Sequence, residues 1–79
     1  MKWQDYIISD NKVLLGKPVI KGTRISVEHL LDLLAQGWSE NDILENYPRL
    51  SKKSLKALFA FVQECMKDGM LFTPLSKTT

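Results

Sequence analysis

Ser26-Val27-Glu28-His29-Leu30-Leu31-Asp32-Leu33-Leu34-Ala35-Gln36-Gly37 is the stretch that sets the fold class. Val27, Leu30, Leu31 and Leu34 recur at i, i+3, i+4 and i+7, the spacing of one buried stripe on a helix. Ser26 is a good N-cap, since its hydroxyl can accept a backbone N–H that the first turn leaves unpaired. Glu28 then falls in the first turn, where the helix dipole favours an acid. Gly37 sits where a left-handed residue ends a helix. The segment therefore reads as a helix with both ends marked.

Downstream, two more helices follow at short intervals. Ser39 caps the second, and Asp42 three residues on stands where a capping box usually has Glu. Pro48 stops that helix near Asn46 or Tyr47, so it makes about two turns. Ser51 caps a third helix, expected to run to about Asp68 with Gly69 as its terminator. Leu55, Leu58, Phe59, Val62 and Met66 read as its main core stripe, widened by Ala57, Phe61 and Cys65. That much apolar surface exceeds what one small domain covers easily, so self-association is expected. The alternative is that both stripes are covered within one chain.

Upstream of Ser26 the pattern is short and extended. Tyr6-Ile7-Ile8, Val13-Leu14-Leu15 and Val19-Ile20 are three brief apolar pieces. Ser9-Asp10-Asn11-Lys12 and Gly16-Lys17-Pro18 separate them with turn chemistry, and Lys21-Gly22-Thr23 ends the last. Pro18 donates no ladder hydrogen bond, so a strand containing it begins there or lies at an edge. The expected architecture is mainly α: a three-helix domain preceded by a short N-terminal β-hairpin or arm. Residues 1–25 form the arm, 26–69 the three-helix core and 70–79 a tail, all one domain. The tail carries Met70-Leu71-Phe72-Thr73-Pro74-Leu75, which either folds back on the core or orders on a partner.

Composition bounds the function. With 79 residues, 44% hydrophobic and 25% charged, the chain is an ordinary small globular domain. Single cores below roughly 80 residues are marginal, which favours close helix packing or a partner. Cys65 is the only cysteine, so no intrachain disulfide is possible. No apolar run approaches the roughly 20 residues of a membrane span, and Met1-Lys2-Trp3-Gln4-Asp5-Tyr6 lacks the apolar core of a signal peptide. A cytoplasmic location is expected. The net charge of +2 is small, but it is segregated: residues 1–24 carry +3, residues 25–48 carry −5 and residues 49–79 carry +4. Such a chain can present basic and acidic faces to different partners, unless solvated faces merely cluster.

Enzymatic chemistry finds little support. His29 is the only histidine, and between core positions of a helix it reads as a structural or surface residue. Cys65 in an apolar helix reads as an inert thiol. Glu40, Asp42 and Glu45 decorate the start and outer face of a short helix, and no Cys or His cluster has metal-ligand spacing. Gly16-Lys17 is followed by Pro18 and lacks the glycine five residues earlier that a phosphate loop needs. No catalytic residue, metal or cofactor is expected.

Nucleic acid is the stronger expectation. Helices two and three, joined through Tyr47-Pro48-Arg49-Leu50, have the lengths and short connection of a helix-turn-helix. In that fold the start of the second helix enters the major groove. Here it carries Arg49, Lys52, Lys53 and Lys56, with Ser51 and Ser54 between them. Lysines there can neutralise phosphates, while Ser and Arg can donate to base edges. Four cations around a helix N-terminus oppose its dipole, and a bound anion would offset that cost. The plain alternative is a lysine-rich solvent face. The acidic second helix confines any contact to the third helix and the arm. Arg24, with Lys21, either reaches DNA from the arm or pairs with an acid such as Glu28 and fixes the arm to helix one. The structural role suits a segment whose Gly22 permits a positive φ and whose Thr23 can hydrogen-bond locally.

Gly16-Lys17-Pro18-Val19-Ile20-Lys21-Gly22-Thr23-Arg24-Ile25-Ser26-Val27, continued by Gly37-Trp38-Ser39, Ile43-Leu44, Tyr47-Pro48 and Leu50, resembles the domain of unknown function family 433. The resemblance spans roughly residues 6–66. That family groups small prokaryotic proteins, several regarded as VapB-like antitoxins. The resemblance implies a homeodomain-like helix-turn-helix domain, preceded by a β-arm that can help form a homodimer. It also implies a PIN-like ribonuclease toxin as partner and operator DNA as ligand. The expected function is an antitoxin that neutralises the toxin and regulates its own operon; the alternative is a dimeric interaction module without DNA binding. A PIN-type nuclease gathers acidic side chains around Mg²⁺, so an inhibitor needs apolar anchors and a cation. Met70, Leu71, Phe72 and Leu75 would supply the anchors, with Lys67 or Lys77 nearby.

Overall fold

Three serines start three helices. A computed structural model of the chain describes residues 1–68, with α1 at Val27–Ala35, α2 at Glu40–Asn46 and α3 at Lys52–Lys67. Ser26 Oγ accepts from His29 N at 2.9 Å, Ser39 Oγ from Asp42 N at 3.0 Å and Ser51 Oγ from Ser54 N at 3.2 Å. In α2 and α3 the third residue returns the bond. Ser39 N donates to the Asp42 carboxylate at 2.8 Å, and Ser51 N to Ser54 Oγ at 3.2 Å. Each such cap is worth about 1 kcal/mol. Gly37, at φ +101°, turns the chain out of α1, as expected. α3 ends on Asp68, whose N–H bonds to Glu64 O; the proposed terminator Gly69 lies outside the described residues.

The helices meet an N-terminal arm over one core. Leu30, Ile43, Leu55, Leu58 and Val19 are its largest fully buried side chains, with Ile7, Ile20, Val27, Leu33, Leu50 and Ala57 around them. Burying each Leu or Ile contributes on the order of 1.5–3 kcal/mol. Two expected stripes are rotated. In α1 the buried face is Val27, Leu30 and Leu33, with Leu31 and Leu34 on its flanks. In α3 it is Ser54, Leu55, Ala57 and Leu58, with Phe61 against it, while Phe59 and Met66 face outward. The arm is what turns α3. Trp3, in a 3-10 turn at Trp3–Asp5, packs edge-on against Phe61 at a centroid separation of 4.9 Å, and its indole N–H donates to the Glu64 carboxylate.

The arm itself is a minimal antiparallel pair, β1 at Ile7–Ile8 and β2 at Val19–Ile20, with Ile7 opposite Ile20 and Ile8 opposite Val19. Past β2 the chain doubles back: Ile20 N bonds to Ile25 O at 3.0 Å and Val27 N to Pro18 O at 2.9 Å. Thr23 closes the reversal. Its hydroxyl donates to Ile20 O at 2.7 Å and accepts from Ile25 N at 3.0 Å, with Gly22 at φ +81° beside it. Val13-Leu14-Leu15 is not a third extended piece. Leu14–Gly16 forms a 3-10-like turn with Leu14 at φ +49° and Leu15 at φ +56°. The turn is closed by Gly16 N to Val13 O and Lys17 N to Leu14 O, both at 3.1 Å.

Candidate nucleic-acid interface

The Ser51 capping box fixes where α3 begins, and so which side chains cluster there. Lys52, Lys53 and Lys56 are exposed. Among the described residues the one ion pair within 4 Å is Lys17–Glu28, at 3.5 Å, so none of these lysines forms an ion pair. Leu55 and Leu58 on the reverse side are fully buried and hold the cationic side outward. The serines between the cations are engaged elsewhere. Ser54 is buried, and Ser51 Oγ lies 3.2 Å from Ser54 Oγ within the cap. Base-reading donors are therefore fewer than the sequence suggested.

Arg49 joins this cluster to the arm. Its guanidinium reaches across 27 positions of sequence, Nη1 donating to Gly22 O at 3.3 Å. That contact brings Arg49 and Arg24 to one cleft of about 420 Å³, lined also by Ile8, Val13, Gly22 and Thr23. The lining holds two guanidiniums and no acid. Both arginines stand out in the sequence, but the contact that unites them and the apolar wall of Ile8 and Val13 do not. A fold-back at Gly22 was the available signal.

The Arg24–Glu28 pair weighed from the sequence does not form. Val27 N bonds to Pro18 O, which lays the start of α1 beside the entry to β2, and Lys17 rather than Arg24 becomes the neighbour of Glu28. At 57% and 76% side-chain exposure, that Lys17–Glu28 pair contributes little. The acidic α2 borders the lysines from the other side. Glu40, Asn41 and Leu44 share with Lys52 and Lys56 a groove of about 280 Å³. Asp42 belongs to the cap of α2: hydrogen bonds from the Ser39 backbone and then from its hydroxyl hold its carboxyl below the ordinary value of 3.8.

The remaining singled-out residues have structural settings. His29 Nε2 shares a hydrogen bond with the Tyr47 hydroxyl at 3.0 Å, the rings meeting edge-on at 6.0 Å. This ties α1 to the connection between α2 and α3. Cys65 is a half-buried free thiol. Among the described residues no group of three His, Cys, Asp or Glu side chains is placed to hold a metal ion, and no helix is long and apolar enough to cross a membrane. The expected partner anchors Met70, Leu71, Phe72 and Leu75 lie outside the described residues.

No curated protein matches the chain. A DUF433 member protein from Anabaena variabilis, known from a crystal structure at 2.00 Å, is 29% identical with a TM-score of 0.75; the likeness covers 82% of this chain. The chain spans 64% of that protein's length. The family model described as "Protein of unknown function (DUF433)" matches residues 7–62, from β1 into α3, and the chain belongs to that family.

Proposed function

We propose that the chain is an antitoxin-like DNA-binding protein of the helix-turn-helix kind, which binds its own operator and neutralises a PIN-like ribonuclease toxin. One observation carries the DNA reading: Lys52, Lys53 and Lys56 at the start of α3, and Arg49 and Arg24 in the cleft beside the arm, form no ion pair within 4 Å among the described residues. In this reading the start of α3 enters the major groove, and Arg24 and Arg49 each hold a flanking phosphate. The acidic α2 keeps the remaining surface away from the duplex.

Binding to the promoter region of the chain's own gene, measured against salt, tests this. Five phosphate contacts predict a log–log slope of about −4.5 per protomer. Lys53→Gln and Arg24→Gln should each flatten it by about 0.9. A slope near zero would remove the DNA role.

Toxin and dimer complete the proposal. The toxin contact is assigned to Met70, Leu71, Phe72 and Leu75 on their composition, and deletion of residues 70–79 should abolish binding to the neighbouring gene's product. For the homodimer, β1 is the outer strand of the pair, with Ile8 37% exposed. Its free edge would pair with the same edge of a second copy. A second reading, an interaction module without DNA binding, is favoured by the exposure of Phe59 and Met66.

A further inference from the structure

α3 presents a second surface beyond the proposed DNA contact. Phe59 is 44% exposed and Met66 43%, and with half-buried Val62 they recur at i, i+3 and i+7 as one stripe along two turns. Beside it runs a row of exposed residues at i, i+4, i+11 and i+15: Lys52, Lys56, Gln63 and Lys67. Glu64, the one acid within α3, lies outside this row and takes the Trp3 indole N–H. Lys52 and Lys56 of this row also line the groove between α2 and α3, together with Leu44, Asn41 and Glu40.

We infer that this face docks an acidic amphipathic helix of another protein. An apolar row flanked by cations at helical spacing is the complement of an apolar row flanked by Asp or Glu. A second copy is a poor occupant. Antiparallel pairing of α3 with itself sets each helix flank against the same flank of its mate, so Lys52 and Lys56 would meet Lys67 of the other chain. Like charges at that distance are destabilising. The chain's own acidic helix does not serve either. Ile43 of α2 is fully buried in the core, and the exposed residues of α2, Glu40, Asn41, Asp42, Glu45 and Asn46, contain no apolar side chain.

The inference shares Lys52 and Lys56 with the DNA reading but does not rest on it, and its test separates the two. The probe is a synthetic amphipathic helix with a leucine stripe flanked by glutamates, labelled for fluorescence anisotropy, against the full chain. Its control carries lysines in place of the glutamates. The glutamate peptide should bind about tenfold tighter than the lysine peptide, and Phe59→Gln with Met66→Gln should weaken it by about tenfold or more. Both sites are solvent-facing, so the circular dichroism spectrum should not change; Lys52→Gln with Lys56→Gln, which leaves the apolar stripe intact, should erase the charge preference. Lys53→Gln lies off the stripe and should move DNA binding alone. Equal binding of the two peptides, no binding of either, or unchanged affinity in the Phe59/Met66 variant overturns the inference. So does self-association of the chain that this double variant abolishes, which would assign the face to a second copy.

Discussion

Replacing Leu15 with Asn should make the protein more stable, although a hydrophobic residue is lost. Leu15 is 92% exposed, so its side chain contributes almost no burial to the folded state. Its backbone sits at φ +56°, ψ +34°, the left-handed region, which costs an L residue roughly 1–2 kcal/mol. Asn occupies that region readily because its short amide can hydrogen-bond locally. Relief of most of the torsional cost, with nothing lost in packing, gives about 0.5–1 kcal/mol of added stability. For a domain of this size that raises the midpoint of thermal unfolding by about 2–8 °C. Leu15→Gly relieves the same strain but also loosens the unfolded chain, so it should fall near the parent. Leu15→Val, branched at Cβ, should be less stable than the parent. Thermal and urea unfolding followed by circular dichroism would rank the four proteins, with the urea slope checked for constancy. An Asn variant less stable than the parent would refute the reasoning, because it would require the Leu15 side chain to be packed against something.

Leu58→Ala empties a fully buried site and should cost about 2–5 kcal/mol by urea unfolding. Gly37→Ala meets open space but must hold φ +101°, so its cost should be torsional, about 1 kcal/mol, with little change in the spectrum of the folded state. Ser39→Ala should cost about 1 kcal/mol through the lost cap. The Asp42 carboxyl titrates lower in the folded chain than in the unfolded one. Its contribution is therefore complete above the ordinary value of 3.8, declines as pH falls through the folded value, and should vanish from the acid-unfolding profile in Asp42→Asn.

What the sequence reveals about this fold is whatever a residue decides locally. Ser26, Ser39 and Ser51 announce three helix starts because capping needs only the next three residues. Gly37 announces an end for the same reason. The errors fall where a distant contact decides. Phe59 and Met66 match a core stripe as well as Ala57 and Phe61 do, and the choice is made by Trp3, which packs on Phe61 from 58 positions away. Nothing in the spacing of α3 encodes that. Leu14 and Leu15 read as part of a short extended piece, yet closing the arm bends them into the left-handed region, which an L residue enters at a cost. The candidate site divides in the same way. The lysines of α3 and their outward direction follow from helical periodicity. That Arg49 would turn back to the carbonyl of Gly22, and bring Arg24 to the same cleft, depends on a fold-back of the arm.

Lys52 and Lys56 belong to both surfaces of α3, and this couples the two proposed activities. If an acidic helix seated on Phe59 and Met66 takes these lysines, two of the five cations facing DNA are occupied, leaving Arg24, Arg49 and Lys53. The salt slope of operator binding should then flatten from about −4.5 to about −2.7 per protomer, and affinity should fall with it. By linkage, DNA must weaken the protein partner by the same factor. At 16 residues α3 is the longest helix among the described residues. Sharing two lysines between its neighbours is the direct way for such a helix to make one ligand report on the other.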